Sequence, residues 1–479
     1  MGHRIVDQVH FKSPFQVVLY FKAIKMKKQE QKSAALSEPK IKRFSQGLPV
    51  NNPYACGIDV GDTMHDVAIG KDEGHEVRKY AAFTEDLQNL VAWLKNEGIT
   101  SVAMESTGIY WLNLYLMLEE AGIETFLVNA KHVKNVTGRK RDDTDAIWLQ
   151  KLHSCGLLQK CFQPEASIRT LRTYVRQRKK LVTLSSDSVR RMQKALELMN
   201  IKLHTVISDI LGRTGMAMVA AIINGERNAD ELLKLKDARI KASEEDIRKS
   251  LQGIWSEEYL FTLNQAYNGY GFYQAQIKEC EEKIKEQLLA QAAKVQAGDI
   301  SNLEIERKKK LKKNEFAFNA QVLMKAVVGV DLCQIESMSE ISVVELISEI
   351  GLDMKQWQGH KRFGAWLNLA PNTKQTGGKI ISSKMQKKKN QAGLTLRMAA
   401  SNMSKSKSPM GDYARKMRAR IGKKGAVVAA AHKLSRIIYT MIKDQVEYAP
   451  VTLLENQQKL NEQRIKYLEK QLLQLRSAS

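Results

Sequence analysis

Four carboxylates carry the first chemistry legible in this chain. Asp59 stands inside the apolar run Gly57-Ile58-Asp59-Val60, where a charge among strand hydrophobes is costly unless it is paired or bound to a cation. Glu105 closes a second apolar run, Ser101-Val102-Ala103-Met104, and meets Ser106-Thr107-Gly108. Asp142 and Asp145 are three apart at the expected start of a helix, hence on one face. Two strand-borne acids plus two on a later helix gather oxygen ligands beside a sheet. Such a set suits two Mg²⁺ ions roughly 4 Å apart, the arrangement that drives phosphoryl transfer. Each acid also has an ordinary role open to it. Asp142, Asp143 or Asp145 can be a helix N-terminal acid favoured by the dipole, and Glu105 can accept backbone hydrogen bonds in a turn.

A hydroxyl lies far downstream, in Thr373-Lys374-Gln375-Thr376-Gly377-Gly378-Lys379. Two glycines after a hydroxyl residue let the backbone approach a phosphate closely; a plain β-hairpin turn accounts for the same residues. Lys374, Lys379, Lys384, Lys387, Lys388, Lys389 and Arg397 supply counter-charge around it. The stretch from Pro371 to Lys424 holds 15 Lys or Arg against one acid, Asp412, within a chain of net charge +24 and pI near 9.6. A second basic run spans Arg307 to Lys313. A charge run by itself is usually a solvated face. Here it coincides with apolar periodicity, which points to a phosphate-binding surface and to nucleic acid as the partner.

The elements that must position these groups follow from periodicity. Tyr54–Val60, His65–Gly70 and Glu76–Phe83 read as strands, with Gly61 and Asp62 starting the first turn. Leu87, Leu90, Val91 and Leu94 mark a helix, Ser101–Glu105 a strand, Tyr110–Ala121 a helix and Thr125–Asn129 a strand. A helix from about Asp143 to Leu158 ends an α/β layout with a mixed sheet. Ile168, Val175, Val182, Val189, Leu196 and Leu203 then recur every seven residues, with Arg178 and Ser185 interrupting the companion positions. That is a coiled-coil stripe or one helix of a monomeric bundle. Residues 255–295 add a helix pair. The expected organisation is a flexible basic arm over 1–53 (with Met26 an alternative start), a catalytic domain over 54–160, a helical coiled-coil region over 161–320, a mostly helical domain over 321–448 and a helical tail over 449–479. In the tail Val451, Leu454, Ile465, Leu468, Leu472 and Leu475 suggest heptads, with polar breaks at Gln458 and Asn461.

Gly57-Ile58-Asp59-Val60, Met104-Glu105-Ser106-Thr107-Gly108-Ile109-Tyr110-Trp111 and Gly138-Arg139-Lys140-Arg141-Asp142-Asp143-Thr144-Asp145-Ala146 together resemble the DEDD transposases of insertion sequences. The resemblance spans roughly residues 54–445. It implies a RuvC-like N-terminal domain of RNase H fold, with Asp59, Glu105, Asp142 and Asp145 as the metal-binding tetrad and Asp143 a bystander. It also implies a C-terminal transposase domain whose Ser-Gly motif, shortly after a Leu-x-Pro segment, supplies a nucleophile that links covalently to DNA. This sequence has Leu369-Ala370-Pro371 and then Thr376 at the matching position, and the extra methyl of threonine crowds an in-line attack. Ser382 and Ser383 are second-choice nucleophiles. Val328-Gly329-Val330-Asp331 to Ile350-Gly351 resembles the family's helix-hairpin-helix, with Met338-Ser339-Glu340 in place of a glycine-rich turn. The segment around His432 resembles its closing helix, where the histidine is expected to be structural. The family further implies a structured noncoding guide RNA, DNA ends and target as partners, and a homo-oligomer from dimer to tetramer. The heptad stripe at 168–203 is an available subunit seam.

Other classes fit poorly. No apolar run approaches the roughly 18 residues that a membrane span needs, and no apolar stretch with a cleavage site opens the chain. The five cysteines (Cys56, Cys155, Cys161, Cys280, Cys333) are scattered without a CxxC pair, as expected of reduced thiols in a cytoplasmic protein; the resemblance further implies a bacterial, nucleoid-associated one. Two alternatives to a transposase stand open: a structure-specific RuvC-like endonuclease that needs no protein nucleophile, and a decayed nucleic-acid-binding protein.

Overall fold

The computed structural model describes residues 49–72, 74–106, 108–129, 133, 144–296, 300, 303–307, 311, 314–386, 390–450 and 453–478. The basic arm expected over 1–53 lies almost wholly outside them. The chain divides into two compact units, Met1–Phe162 and Gln163–Ser479.

The first unit comprises β1 (Ala55–Val60), β2 (Met64–Lys71), β3 (Gly74–Ala81), α1 (Thr84–Asn96), β4 (Ser101–Glu105), α2 (Trp111–Glu120), β5 (Glu124–Val128) and α3 (Asp145–Ser154). Its mixed sheet runs β3-β2-β1-β4-β5. The first three strands pair antiparallel as successive hairpins, and β4 and β5 join parallel to β1. Helices α1 and α2 form the long connections that parallel strands require. The layout is consistent with an RNase H-like domain. At the β1–β2 turn the Gly61 N–H donates to the Met64 carbonyl at 3.0 Å. A Cβ there would sit 2.5 Å from that oxygen, so only glycine closes the turn. β3 starts two residues earlier than its sequence suggests, because Gly74 to Ala81 pair continuously with Lys71 back to Met64.

Strand alternation sorts the two faces. Ile58, Val67, Ile69, Val102 and Met104 pack against Leu90 and Leu94 of α1 and Leu114 and Leu118 of α2. Burying each such side chain is worth about 1.5–3 kcal/mol. Ala103 on the opposite face packs with Trp148, Leu149 and Leu152 of α3.

The second unit is largely helical. It opens with α4 (Ala166–Leu198), α5 (Leu203–Val206), α6 (Arg213–Ile223), α7 (Ala229–Leu233), α8 (Glu244–Leu251) and α9 (Glu257–Val295). The helix pair expected over 255–295 is thus one continuous 39-residue helix. Its Gly269 lies where a Cβ would come 3.3 Å from the Ser188 hydroxyl of α4. Of the α4 heptad stripe Ile168, Val175 and Leu196 are buried and Val182 and Val189 partly so, and α9 of the same chain packs along the companion line of Arg178 and Ser185. Gln274 donates to Ser185 at 2.9 Å, Arg178 to Glu281 at 2.6 and 2.8 Å, and Gln291 to the Ser167 carbonyl at 3.4 Å. Ascending α4 therefore descends α9, an antiparallel hairpin. Helices α5 to α8 lie between its arms in sequence and close one end with an apolar cluster that includes Met192, Leu196, Met218, Ile222, Ile247 and Leu263.

The unit continues with α10 (Ala320–Val328), α11 (Glu340–Ile350), α12 (His360–Trp366), the β6 (Lys374–Thr376) and β7 (Lys379–Ser382) hairpin, α13 (Gln391–Met403), α14 (Pro409–Asp444) and α15 (Leu453–Ala478). Gly329, at φ 87°, ends α10, and Ser339 of Met338-Ser339-Glu340 caps α11 by accepting from the Ser342 N–H at 3.3 Å. Gly422, at φ 74°, breaks α14 into two helical halves. Among the described residues no helix is long and apolar enough to cross a membrane.

Candidate active site

A close helix–strand contact builds the acidic site. A Cβ on Gly57 would stand 2.2 Å from the Gln150 nitrogen and 2.3 Å from the Ala146 carbonyl, so α3 rests directly on the backbone of β1. Gln150 fastens the contact by donating to the Ala55 carbonyl at 3.3 Å and pairing with His75 at 3.1 Å. Thr144 caps the helix, its hydroxyl accepting from the Ile147 N–H at 3.3 Å. Asp145 is consequently the first helical residue, beside Asp59 two positions along β1 from Gly57. Glu105 ends the neighbouring parallel strand, where Gly57 pairs with Ala103. Alternation therefore sets Glu105 on the same face as Asp59.

Electrostatics registers the convergence. Burial pushes the Asp59 carboxyl above its ordinary range, and the negative fields of Asp145, Asp66 and Glu105 push it further, against a lowering hydrogen bond from the Val60 N–H. Sequence reasoning missed Asp66. It is the cross-strand partner of Asp59 and forms an ion pair with Lys79 at 3.6 Å. The hairpin register was the signal that could have found it. Asp142 lies outside the described residues. Helix α3 itself starts at Asp145 behind its Thr144 cap, two residues later than the sequence suggests. Among the described residues no three His, Cys, Asp or Glu side chains form a ready metal cage. The donor chemistry nonetheless fits a hard dication: all-oxygen ligands, mutually repelling, on one sheet face.

Farther along the same face, His153 of α3 is buried against Phe126 and shares a 2.9 Å hydrogen bond with Ser101. Burial pushes its imidazole down to about 4.

Thr376, in the second unit, is the last residue of β6 and pairs with Lys379. Gly377 and Gly378 follow at φ 51° and 76°, the left-handed pair that a two-residue hairpin turn demands. The hairpin reading of this loop is thus met, and Thr376 stands exposed beside its turn. Every residue from Pro371 to Ile381 is exposed, including Lys374 and Lys379 and the apolar Ile380 and Ile381. Its base is tied down: the Asn372 N–H donates to the Lys384 carbonyl at 3.1 Å and the Asn368 amide to the Gln386 carbonyl at 3.1 Å. Lys384 is exposed at that base, and Lys387, Lys388 and Lys389 lie outside the described residues. Arg397 is half-buried and donates to the Asn368 carbonyl, so it has a backbone partner at the foot of the hairpin. His432 packs beneath Gly364, where a Cβ would come 2.8 Å from its ring. Site reasoning also passed over the α14 break, where Arg415, Lys416, Arg418, Arg420, Lys423 and Lys424 are all exposed around Gly422.

Residues 56–201 match the family model of the DEDD transposases of the IS110 type, and residues 331–415 match that of the IS116/IS110/IS902 transposase family. The chain belongs to the IS110-type transposases. The first match holds all four acids of the expected tetrad, and the second holds Thr376 with its hairpin. In this transposase residues 202–330 and 416–479 lie outside both matches. No curated protein matches the chain.

Proposed function

We propose that this transposase cuts and rejoins DNA with Mg²⁺ held by Asp59, Glu105, Asp142 and Asp145, and with Thr376 as its covalent nucleophile. One observation carries the reading: Asp59 and Glu105 lie on the sheet face against which the helix opened by Asp145 packs, and burial first, then the fields of these acids and Asp66, raise the Asp59 carboxyl. Binding alone does not require half-buried acids in mutual repulsion. The RuvC-like assignment rests on the same sheet order and the same acids. Bound there, Mg²⁺ would stabilise charge on the phosphate oxygens during transfer. The chain's own part is positional. The α3–β1 contact fixes two of the acids, and Lys374 and Lys379 draw the phosphate toward the hairpin tip. The Thr376 Oγ–P bond forms as one P–O bond of the strand breaks, the departing oxygen takes a proton, and the hydroxyl proton passes to solvent. A structured noncoding RNA of the element guides target and donor choice in this reading. The enzyme works as a dimer to tetramer in which acids and hydroxyl of one site come from different subunits.

Hydrolysis without a protein nucleophile is the second reading, favoured by the methyl on Thr376. Denatured reactions of purified protein with RNA and DNA separate the two. We expect an adduct mapping to Thr376, lost in Thr376→Ala and equal or greater in Thr376→Ser. Asp59→Ala, Glu105→Ala, Asp142→Ala and Asp145→Ala should each lower strand exchange at least 100-fold while nucleic-acid binding persists, with Asp143→Ala nearly silent. Metal-dependent cutting with no adduct in any variant would select hydrolysis.

A further inference from the structure

Helix α15 covers 26 residues, about 39 Å at 1.5 Å per residue. Among its described side chains, Gln458, the run 461–469, 471–474 and Arg476 are all exposed. That includes Ile465 at 55%, Leu468 at 48% and Leu472 at 56%. A lone helix bearing an uncovered apolar stripe is marginal in water and gains most of its stability from a partner surface.

The stripe has coiled-coil phase. Placing Ile465 and Leu472 at a positions puts Gln458 there too, and Asn461, Leu468 and Leu475 at d. The e column then reads Glu455, Glu462, Glu469 and Arg476, and the g column Gln457, Arg464 and Gln471. Antiparallel pairing would set the acidic e column against its own copy. Parallel pairing sets e against g, so Arg464 meets Glu469 of the other helix and no like charges oppose. Gln458 and Asn461 would meet their own counterparts, polar layers that fix register at some cost in strength. The α4 helix already has a partner in α9 within the chain, whereas the stripe of α15 is uncovered among its described residues.

We propose that α15 pairs in parallel, in register, with α15 of a second copy of this chain. The reading is independent of how DNA is cut, so it is tested without nucleic acid. By light scattering the full chain should run at twice its 54.3 kDa mass, and Leu468→Asp with Leu472→Asp should return it to the single-chain value. Should the aspartates simply unwind the helix, the charge swap still decides. Arg464→Glu should weaken the dimer at least several-fold, and adding Glu469→Arg should restore it. Oxidised Leu468→Cys should give a covalent dimer, since identical d positions meet across a parallel pair, whereas Tyr467→Cys should not. A monomeric wild-type chain would overturn the proposal. So would a dimer whose mass ignores the aspartates, or an Arg464→Glu defect that Glu469→Arg leaves uncorrected.

Discussion

Burial shifts proton affinity in opposite directions at two residues on the α3 side of the sheet, Asp59 upward and His153 downward. Desolvation and then the acids around it raise the proton affinity of the Asp59 carboxyl, so loading a dication there should become easier as the pH rises. His153 is held neutral down to about 4. Unfolded, the same imidazole takes its proton near 6.5. Between those values the unfolded state therefore carries the extra proton, and stability falls as the pH drops. Up to about 3 kcal/mol should be lost by pH 4 from this group alone. His65, fully buried with a lowered imidazole, works in the same direction. Thermal melts across this window should steepen for the wild type and flatten for His153→Gln. An unchanged slope would show that His153 is not held neutral in the folded protein.

At the scale of elements, the α4–α9 hairpin is aligned by polar pairs inside an apolar seam. Arg178 is answered by Glu281, by the Asn314 carbonyl at 2.8 Å and by the Phe316 ring at 4.3 Å. Removing one member of a buried pair strands the other, so Arg178→Ala should cost about 3–5 kcal/mol, whereas Arg178→Met with Glu281→Leu should cost far less. Chemical denaturation of the three proteins checks both. The same pair shows what the sequence could convey. The heptad phase of α4 was legible from Ile168 and Val175, but an apolar stripe does not say what covers it, and Arg178 and Ser185 read as interruptions rather than as paired layers. In the sheet, Asp59 and Glu105 were legible because a charge in a strand violates its apolar context. Asp66 was not, since its place opposite Asp59 depends on hairpin register, and the helix expected from about Asp143 begins instead at Asp145.

Across the whole molecule the net charge of +24 is concentrated, and the exposed cations around Gly422 join those of the β6–β7 hairpin in the second unit. Each phosphate neutralised on duplex DNA releases counterions and contributes about 0.9 to the slope of log affinity against log salt. Replacing Arg418, Arg420, Lys423 and Lys424 with alanine should therefore flatten that slope by about 0.9 for every phosphate no longer neutralised, while a hydrolytic or covalent product still forms at low salt. Titrations at several salt concentrations would read this directly. Parallel lines for variant and wild type would place the α14 cations off the DNA path.

The antiparallel hairpin also imposes an order in time. Helix α4 is complete at Leu198, but the partner that packs along it ends only at Val295. At about 5–20 residues per second of synthesis, the newborn helix waits roughly 5–20 s with Leu171, Val175 and the uncompensated Arg178 open to solvent. During that interval α5 to α8 emerge and can gather around Met199 and Ile222, closing the far end first. The later helix then has a turn already built and needs only to fold back along α4 until Glu281 reaches Arg178. A nascent chain halted between these two points would be the most aggregation-prone form of this protein, and the one in greatest need of a chaperone.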